Sequence, residues 1–308
     1  MDEVPQPVKV SVLIISHNNA AALRECLAAL ERSSGRETLE IVVVDNGSQD
    51  ESPGMDSEFP KIQMLRLPRN FGAVKALNIG MRTATGEFFF FLPAEFEVQP
   101  DTIERLAVRL GSAPDAVAVC PLPVTPDGRP VFRYRSLPGP EELFRAWKAG
   151  GFSDWREPDL STDAVAVDYP EAPVMMARRR LLQGMRYIDE RYSHFWWDLE
   201  LCCQIKRASK KILLLPDIRI VTQGEVAAEP SDPGARAALS ADCALAACTF
   251  ARKHYGWAAG MKLRLLTCLS AFGSAALSLL RFRDVGYHIG RLSNLLSGQR
   301  IDGSQRAI

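Results

Sequence analysis

The segment Glu40-Ile41-Val42-Val43-Val44-Asp45-Asn46-Gly47-Ser48-Gln49-Asp50 restricts what this chain can fold into more than any other. Its aliphatic run has no polar alternation, which predicts a strand buried on both faces. The Asn46-Gly47 step turns the chain sharply, because both residues tolerate positive φ. Asp45 is then left at the carboxyl end of a parallel strand, the edge where open α/β sheets bind ligands. A carboxylate there suits a donor-rich partner, a nucleobase edge or the hydroxyl pair of a ribose.

The flanking segments predict more of the same sheet. Val8 to Ile15 reads as a strand ending in the polar cluster Ser16-His17-Asn18-Asn19, followed by a helix with Leu23, Leu27 and Leu30 at helical spacing. Strand, polar tip, helix, strand and acidic tip form a βαβ unit with its polar ends on one edge. Ile62 to Leu67 is a third, alternating strand. Asn70-Phe71-Gly72 leads into a helix carrying Ala73, Val74, Ala76, Leu77 and Met81. Phe88 to Leu92, apolar throughout after the Gly86-Glu87 break, predicts a central strand.

With these pieces in order, Val10 to about Arg105 resembles the nucleotide-sugar-binding half of a family 2 glycosyltransferase with the GT-A fold. The matching pieces are Ser11 to Asn18, Val43 to Asp50, Asn70-Phe71-Gly72 with Asn78 and Gly80, and Ala84-Thr85-Gly86-Glu87. A second block comprises Ile188-Asp189-Glu190-Arg191-Tyr192, Trp197 to Cys202, and Leu215-Pro216-Asp217. It resembles the acceptor half of the rhamnosyltransferase-like and galactofuranosyltransferase-like members. The resemblance implies an α/β, Rossmann-like, three-layer GT-A domain with a mostly parallel central sheet over residues 1–225. Its nucleotide-sugar half covers about 8–120 and its acceptor half about 121–225, with a helical C-terminal extension over 226–308. It also implies donor binding by Ser16, His17, Asn18, Asp45, Asn46, Gly72, Lys75 and Asn78. Here His17 packs on the nucleobase and Lys75 reaches the phosphates. Lys75 equally fits the solvated face of an amphipathic helix.

Transfer from a nucleoside-diphosphate sugar must neutralise a departing diphosphate, a task suited to hard divalent cations with oxygen ligands. The family's metal loop, Asp-x-Asp or Asn-Pro-Asp, corresponds to Leu92-Pro93-Ala94-Glu95-Phe96-Glu97-Val98. The resemblance makes Glu95 and Glu97 ligands for Mn2+ or Mg2+. The alternative is two solvated acids before a helix starting near Pro100-Asp101. Thr222-Gln223 stands where the family usually has histidine, so the implied metal is weakly bound or absent.

Trp196-Trp197-Asp198-Leu199-Glu200 corresponds to the family's Glu-Asp-x-Asp motif. On that match Asp198 is the general base for an acceptor hydroxyl, held at a helix N-terminus, and Glu200 is the following acid. Trp196 and Trp197 would form a stacking floor for the acceptor sugar. The competing reading makes Asp198 a helix cap and at least one tryptophan core. Arg178-Arg179-Arg180 reads as a surface feature at the start of a helix.

Composition narrows the remaining classes. Lys+Arg 37 against Asp+Glu 37 provides no electrostatic case for nucleic acid. The 7 scattered cysteines fit a reducing compartment better than a disulfide framework or structural zinc. Met1 to Pro7 lacks the basic start and apolar core of a signal peptide. Stretches 52–60, 121–140 and 225–234 are rich in loop-forming residues, the last marking a boundary before the tail. Leu265 to Leu280 is uncharged and flanked by Lys262, Arg264, Arg281 and Arg283. It is short for a membrane span and fits either a membrane interface or packing against the core or a partner subunit.

The expectation is an inverting glycosyltransferase of the hexosyltransferase type, serving polysaccharide or cell-envelope biosynthesis. Its acceptor is a glycan or a lipid-linked glycan, in the cytoplasm or at the inner face of the cell membrane. One rival is a degenerate, non-catalytic homologue that binds nucleotide or glycan within a biosynthetic complex, which the altered metal loop favours. A nucleotidyltransferase fits less well, because Ser16-His17-Asn18-Asn19 is no Gly-rich, basic phosphate loop. A homo-oligomer stays open.

Overall fold

The computed structural model describes residues 9–149, 151–171, 174–222, 232–282 and 284–298. Its strands in chain order are β1 (Val10–Ser16), β2 (Leu39–Asp45), β3 (Gln63–Arg66), β4 (Phe88–Phe91), β5 (Phe96–Val98), β6 (Ala116–Val124), β7 (Tyr134–Arg135), β8 (Val165–Val167), β9 (Tyr169–Pro170), β10 (Met175–Arg178) and β11 (Lys211–Thr222). The helices are α1 (Ala20–Glu31), α2 (Ala73–Thr83), α3 (Thr102–Ser112), α4 (Pro140–Ala149), α5 (Arg179–Gly184), α6 (Trp197–Arg207), α7 (Pro233–Tyr255), α8 (Trp257–Arg281) and α9 (Val285–Ser297).

One sheet runs β3-β2-β1-β4-β10-β6-β11-β5, with β8 also paired to β11. Its first four strands are parallel, and so are β6 and β11. β10 is antiparallel to both β4 and β6 and joins the two parallel sets. All four phenylalanines of β4 are buried, between β1 and β10, as an uninterrupted apolar run requires. Alternate strand residues feed two cores. Val12, Ile14, Val43 and Phe90 meet α1 and α3 on one face. Leu13, Val42, Val44 and Phe91 meet α2, α6 and α7 on the other. Helix, sheet and helix make the three layers.

One expectation about boundaries changes. The proline-rich stretch from Pro121 does not begin a loop, because β6 continues through Pro121-Leu122-Pro123-Val124. The Pro123 carbonyl accepts from Val131 N–H, so this residue's polar side faces away from β11 and its missing N–H breaks no ladder bond. The domain boundary at 225–226 lies outside the described residues. The first helix of the expected extension, α7, is part of the main core through Ala246, Phe250 and Ala251. α8 and α9 lie over it around a small cluster of Ala241, Leu245, Ala271 and Leu295.

The end of α7 is clamped to α6 by buried charge. Glu200, 3% exposed, accepts from His254 Nε2 at 2.6 Å, Gln204 at 2.7 Å and the Tyr192 hydroxyl at 3.1 Å. Lys253 Nζ lies 2.7 Å from Glu200 and 2.7 Å from Asp189. Burial alone would raise the Glu200 pKa, but His254, Lys253 and Gln204 outweigh it and hold the carboxyl at about 2. A depressed carboxyl stabilises the fold above its unfolded pKa and loses that contribution as pH falls toward its folded one. Here the window runs from about 4.5 down to about 2. We expect Glu200→Gln to reduce unfolding free energy by up to about 3 kcal/mol at pH 7, before solvent screening. In urea melts the deficit should shrink steadily as the pH is lowered through that window. A deficit independent of pH would remove ionised Glu200 as the clamp.

Candidate functional site

The tips of β1 and β2 lie side by side, with Ser16 in register with Asp45 and Asn46 N–H bonded to Ser16 O at 2.8 Å. Asp45 is 2% exposed. Its Oδ2 accepts from Ser48 N–H at 3.2 Å, while its Oδ1 is buried with no hydrogen-bond partner among the described residues. A buried oxygen left in this way costs roughly 1–3 kcal/mol unless a donor reaches it. Around it, the Ser16 hydroxyl donates to Asn19 Oδ1 at 2.6 Å, and His17 Nδ1 lies 3.0 Å from Asn46 O. Asn18 bridges the two tips: its N–H donates to Ser48 Oγ, and its Oδ1 accepts from Gln49 N–H.

Asn46 and Gly72 build the floor of this edge. Asn46 Nδ2 donates to Asn70 Oδ1, Asn46 Oδ1 accepts from Phe71 N–H, and Asn70 Oδ1 also accepts from Gly72 N–H, each at 2.9 Å. Gly47 (φ +77°) abuts the backbone of Arg69 and Asn70 so closely that a Cβ would overlap it. Gly72 (φ +85°) turns the chain into α2. Lys75 lies over the Phe71 ring at 5.4 Å, and Arg69, a residue with no motif to mark it, lies over the same ring at 5.2 Å.

Asn78 departs from its expected role. It is fully buried; its amide donates to Ile188 O at 2.8 Å and Glu190 at 3.1 Å and accepts from Ile188 N–H. These bonds stitch α2 to the segment before α6, away from the strand tips. Glu200 departs likewise: two residues beyond Asp198, it points into the α6–α7 clamp.

The segment preceding α6 reaches the first turn of α2. Val74 N–H, in the first turn of α2, bonds Ser193 O at 2.9 Å, and the Trp197 ring packs edge-on to Phe91 at 6.3 Å. Trp197, 8% exposed, is therefore core. Trp196, at φ +70°, is half-buried between Phe152 and Phe250, at 5.7 and 5.5 Å. Burial pushes the His194 pKa down to about 4, so this ring is neutral near pH 7.

Asp198 stands in the first turn of α6, and its Oδ2 accepts from the Tyr169 hydroxyl at 3.0 Å. Burial pushes its pKa upward, against the opposing pull of the Leu199 N–H and Tyr169. Tyr169 comes from the two-residue strand β9, and the Trp155 ring lies 5.7 Å from it. Nothing in the residue pattern around Tyr169 singles it out.

Glu95 follows β4, and Glu97 sits within β5 opposite Val221, with Thr222 opposite Phe96. Register thus brings Thr222 beside the acidic loop; Gln223 lies outside the described residues. Neither glutamate makes a hydrogen bond or salt bridge among the described residues, and no three His, Cys, Asp or Glu side chains converge there. The oxygen chemistry suits a hard cation. Two carboxylates fall short of the roughly six ligands it takes, so substrate oxygens and water must complete the shell. A cavity of about 510 Å³ lies elsewhere, between Arg82 at the far end of α2, Tyr187, Gln204 and Lys253.

The family model described as "Glycosyl transferase family 2" matches residues 11–181. The succinoglycan biosynthesis protein ExoO of Rhizobium meliloti is 31% identical over 134 residues, covering 42% of this chain and 37% of that protein. The undecaprenyl-phosphate 4-deoxy-4-formamido-L-arabinose transferase of Pseudomonas paraeruginosa is 34% identical over 122 residues, covering 37% and 36%. The aligned part spans only 25–37% of the length of the curated relatives it matches. Among solved structures, the mannosyltransferase PcManGT from Pyrobaculum calidifontis, in complex with GDP-Man and Mn2+, has a TM-score of 0.56 at 17% identity, covering 96% of this chain and 89% of that one. GalNAc-T7 with UDP, GalNAc and Mn2+ has a TM-score of 0.57 at 17% identity, covering 75% and 47%. At such identities these two establish the GT-A fold.

Because the Tyr169 hydroxyl stabilises the ionised Asp198 carboxyl, Tyr169→Phe should raise the Asp198 pKa further. Carboxyl 13C NMR titration reads this directly, and an unchanged or lower pKa would detach Tyr169 from the role.

Proposed function

The chain belongs to glycosyl transferase family 2, and from that premise we propose that it moves a sugar from a nucleoside-diphosphate sugar to a hydroxyl of a polysaccharide or lipid-linked glycan, inverting the anomeric centre. One observation carries the reading: Asp45 ends a buried parallel strand with one carboxylate oxygen buried and without a hydrogen-bond partner among the described residues. A nucleoside N–H or ribose hydroxyl is the donor that oxygen lacks. Ser16, His17 and Asn18 surround the same tip.

In the reaction the acceptor oxygen attacks the anomeric carbon and its proton passes to the Asp198 carboxylate. The bond from that carbon to the diphosphate oxygen breaks, and its electron pair leaves with the nucleoside diphosphate. A carboxyl whose pKa is raised by burial binds that proton more readily than an ordinary aspartate. Trp196 offers the remaining aromatic surface for an acceptor sugar. The second sequence block supports a rhamnosyl-type hexosyltransferase within this reading, and a lipid-linked acceptor would put the reaction at the inner face of the membrane.

Glu95 and Glu97 are the residues that would hold a divalent cation, which when bound neutralises the leaving diphosphate. Mn2+ in the PcManGT and GalNAc-T7 structures supports that assignment. Lys75 and Arg69 are cations on the same edge. Arg178 and Arg179 are not available: they donate to the carbonyls of Leu110, Ala113 and Thr85 at the opposite edge of the sheet.

A paired experiment separates binding from chemistry. Asp45→Ala should weaken nucleotide binding about tenfold or more by calorimetry, the usual effect of losing a hydrogen bond to a charged group. Asp198→Asn should leave that affinity intact and slow transfer roughly 10²–10⁴-fold. Equal affinities for Asp45→Ala and the parent would take Asp45 out of the site. Transfer by Asp198→Asn within a few-fold of the parent would refute the base.

Metal dependence is a further expectation. With two glutamates and no group of three His, Cys, Asp or Glu side chains placed to hold a metal among the described residues, Mn2+ should support transfer better than Mg2+, which tolerates irregular shells poorly, and only at high concentration. Glu95→Gln should abolish the metal response. Full activity in EDTA would move diphosphate stabilisation to Lys75 and Arg69. Nucleotide binding without transfer from any donor would favour a non-catalytic homologue, the reading that the altered loop supports.

A further inference from the structure

Helix α8 is built inside out. Its protein-facing positions are Gly260, Leu263, Thr267, Ala271, Ala275 and Ser278, mostly small residues. Its outward face carries Trp257, Met261, Leu265, Leu269, Phe272 and Leu280, each 45–78% exposed. A water-facing helix has the opposite order, with large apolar side chains inward. The patch extends beyond α8. Of the fourteen large apolar side chains exposed among the described residues, eleven fall between Trp257 and Leu296. Contiguous apolar surface of this kind marks a contact with a partner or a membrane.

Charge selects the occupant. From Trp257 to Ser297 the chain carries Lys262, Arg264, Arg281, Arg283 and Arg291 against a single acid, Asp284, although the whole chain is balanced. A second copy meeting this face across a twofold axis would set like charge against like. An anionic lipid surface is attracted instead, and basic residues beside an apolar face are the usual means. We infer that the outward face of α8, with the adjoining turn of α9, seats the protein on an anionic lipid bilayer.

The helix lies in the interface and does not cross it. By composition and length alone Trp257–Arg281 passes as a span. Its uncharged part, Leu265 to Leu280, is only about 24 Å long at 1.5 Å per residue, against a hydrocarbon core of about 30 Å. α8 also rests on α7, whose Ala246, Phe250 and Ala251 belong to the main core. Arg264 donates to Leu295 O at 2.9 Å and ties α8 to α9. Crossing would drag packed helices of the domain into the lipid. Trp257 at one end suits the headgroup region. The inference does not depend on the reaction proposed above.

Sedimentation of the full chain with vesicles tests it. Binding is expected to phosphatidylcholine vesicles containing roughly a third phosphatidylglycerol, at least tenfold weaker binding to pure phosphatidylcholine, and release by high salt. Leu265→Asp with Leu269→Asp should weaken binding at least tenfold while circular dichroism and the melting transition stay unchanged. Lys262→Gln and Arg281→Gln should each lower affinity for the anionic vesicles about fivefold. Brominated lipid should quench Trp257 emission, a signal absent from Trp257→Phe. Three results would overturn the inference: vesicle binding equal in the parent and the double aspartate variant, protein that resists extraction by high salt and alkaline carbonate, or no vesicle binding together with a dimer that Leu265→Asp disrupts.

Discussion

Four residues, Met175–Arg178, hold the two halves of the sheet together. Among the described residues, β10 is the strand that passes from the β3-β2-β1-β4 set to the β6-β11 set, pairing antiparallel with β4 and β6. Its apolar residues are buried, and Arg178 closes the last carbonyls of α3 from beneath. With that join made, the segment before α6 reaches the carboxyl edge of the first half. Trp197 packs on Phe91, and Ser193 accepts from the first turn of α2. β2, which ends at Asp45, and the segment leading into α6 and Asp198 belong to different halves of the chain, and β10 is the strand that joins their sheets.

The two aspartates are prepared in different ways. Around Asp45 the amides of Asn46 and Asn70 take up the backbone donors of the turn, and Gly47 lets the turn after β2 close on the Arg69–Asn70 backbone. The result is a braced rim in which one Asp45 carboxylate oxygen has no hydrogen-bond partner among the described residues. Asp198 is instead half-buried and held by the Tyr169 hydroxyl and the Leu199 N–H, with burial raising its affinity for a proton. Unlike environments for two carboxylates are a general way of dividing binding from proton transfer.

The C-terminal helices serve both fold and surface. α7 fills the core face beneath α6 and is locked there by Glu200, Lys253 and His254. α8 turns small residues toward α7 and large ones outward, so the helix completing the fold also carries its most apolar surface.

The strands ending in Ser16 and Asp45, the Asn46-Gly47 turn and the central Phe88–Phe91 strand were readable from the sequence. Burial on both faces and tolerance of positive φ are local properties written in consecutive residues. The use of individual side chains was not local. Asn46 meets Asn70 24 positions away and Asn78 meets Glu190 112 positions away, so amides expected at a ligand are engaged by the protein itself. Glu200 has a catalytic-looking place in sequence and a structural one in space. Tyr169 had no pattern to announce it and reaches Asp198 only because β9 is folded against α6. Pro121 and Pro123 suggested a loop, yet both lie in β6, and the direction of the Pro123 carbonyl shows why the strand accommodates that proline. Helical periodicity likewise made α8 a helix, yet only packing on α7 decided which face points outward. Periodicity encodes the geometry of a segment; which atoms come within 3 Å of one another depends on segments far away in the chain, and that was settled by the tertiary fold.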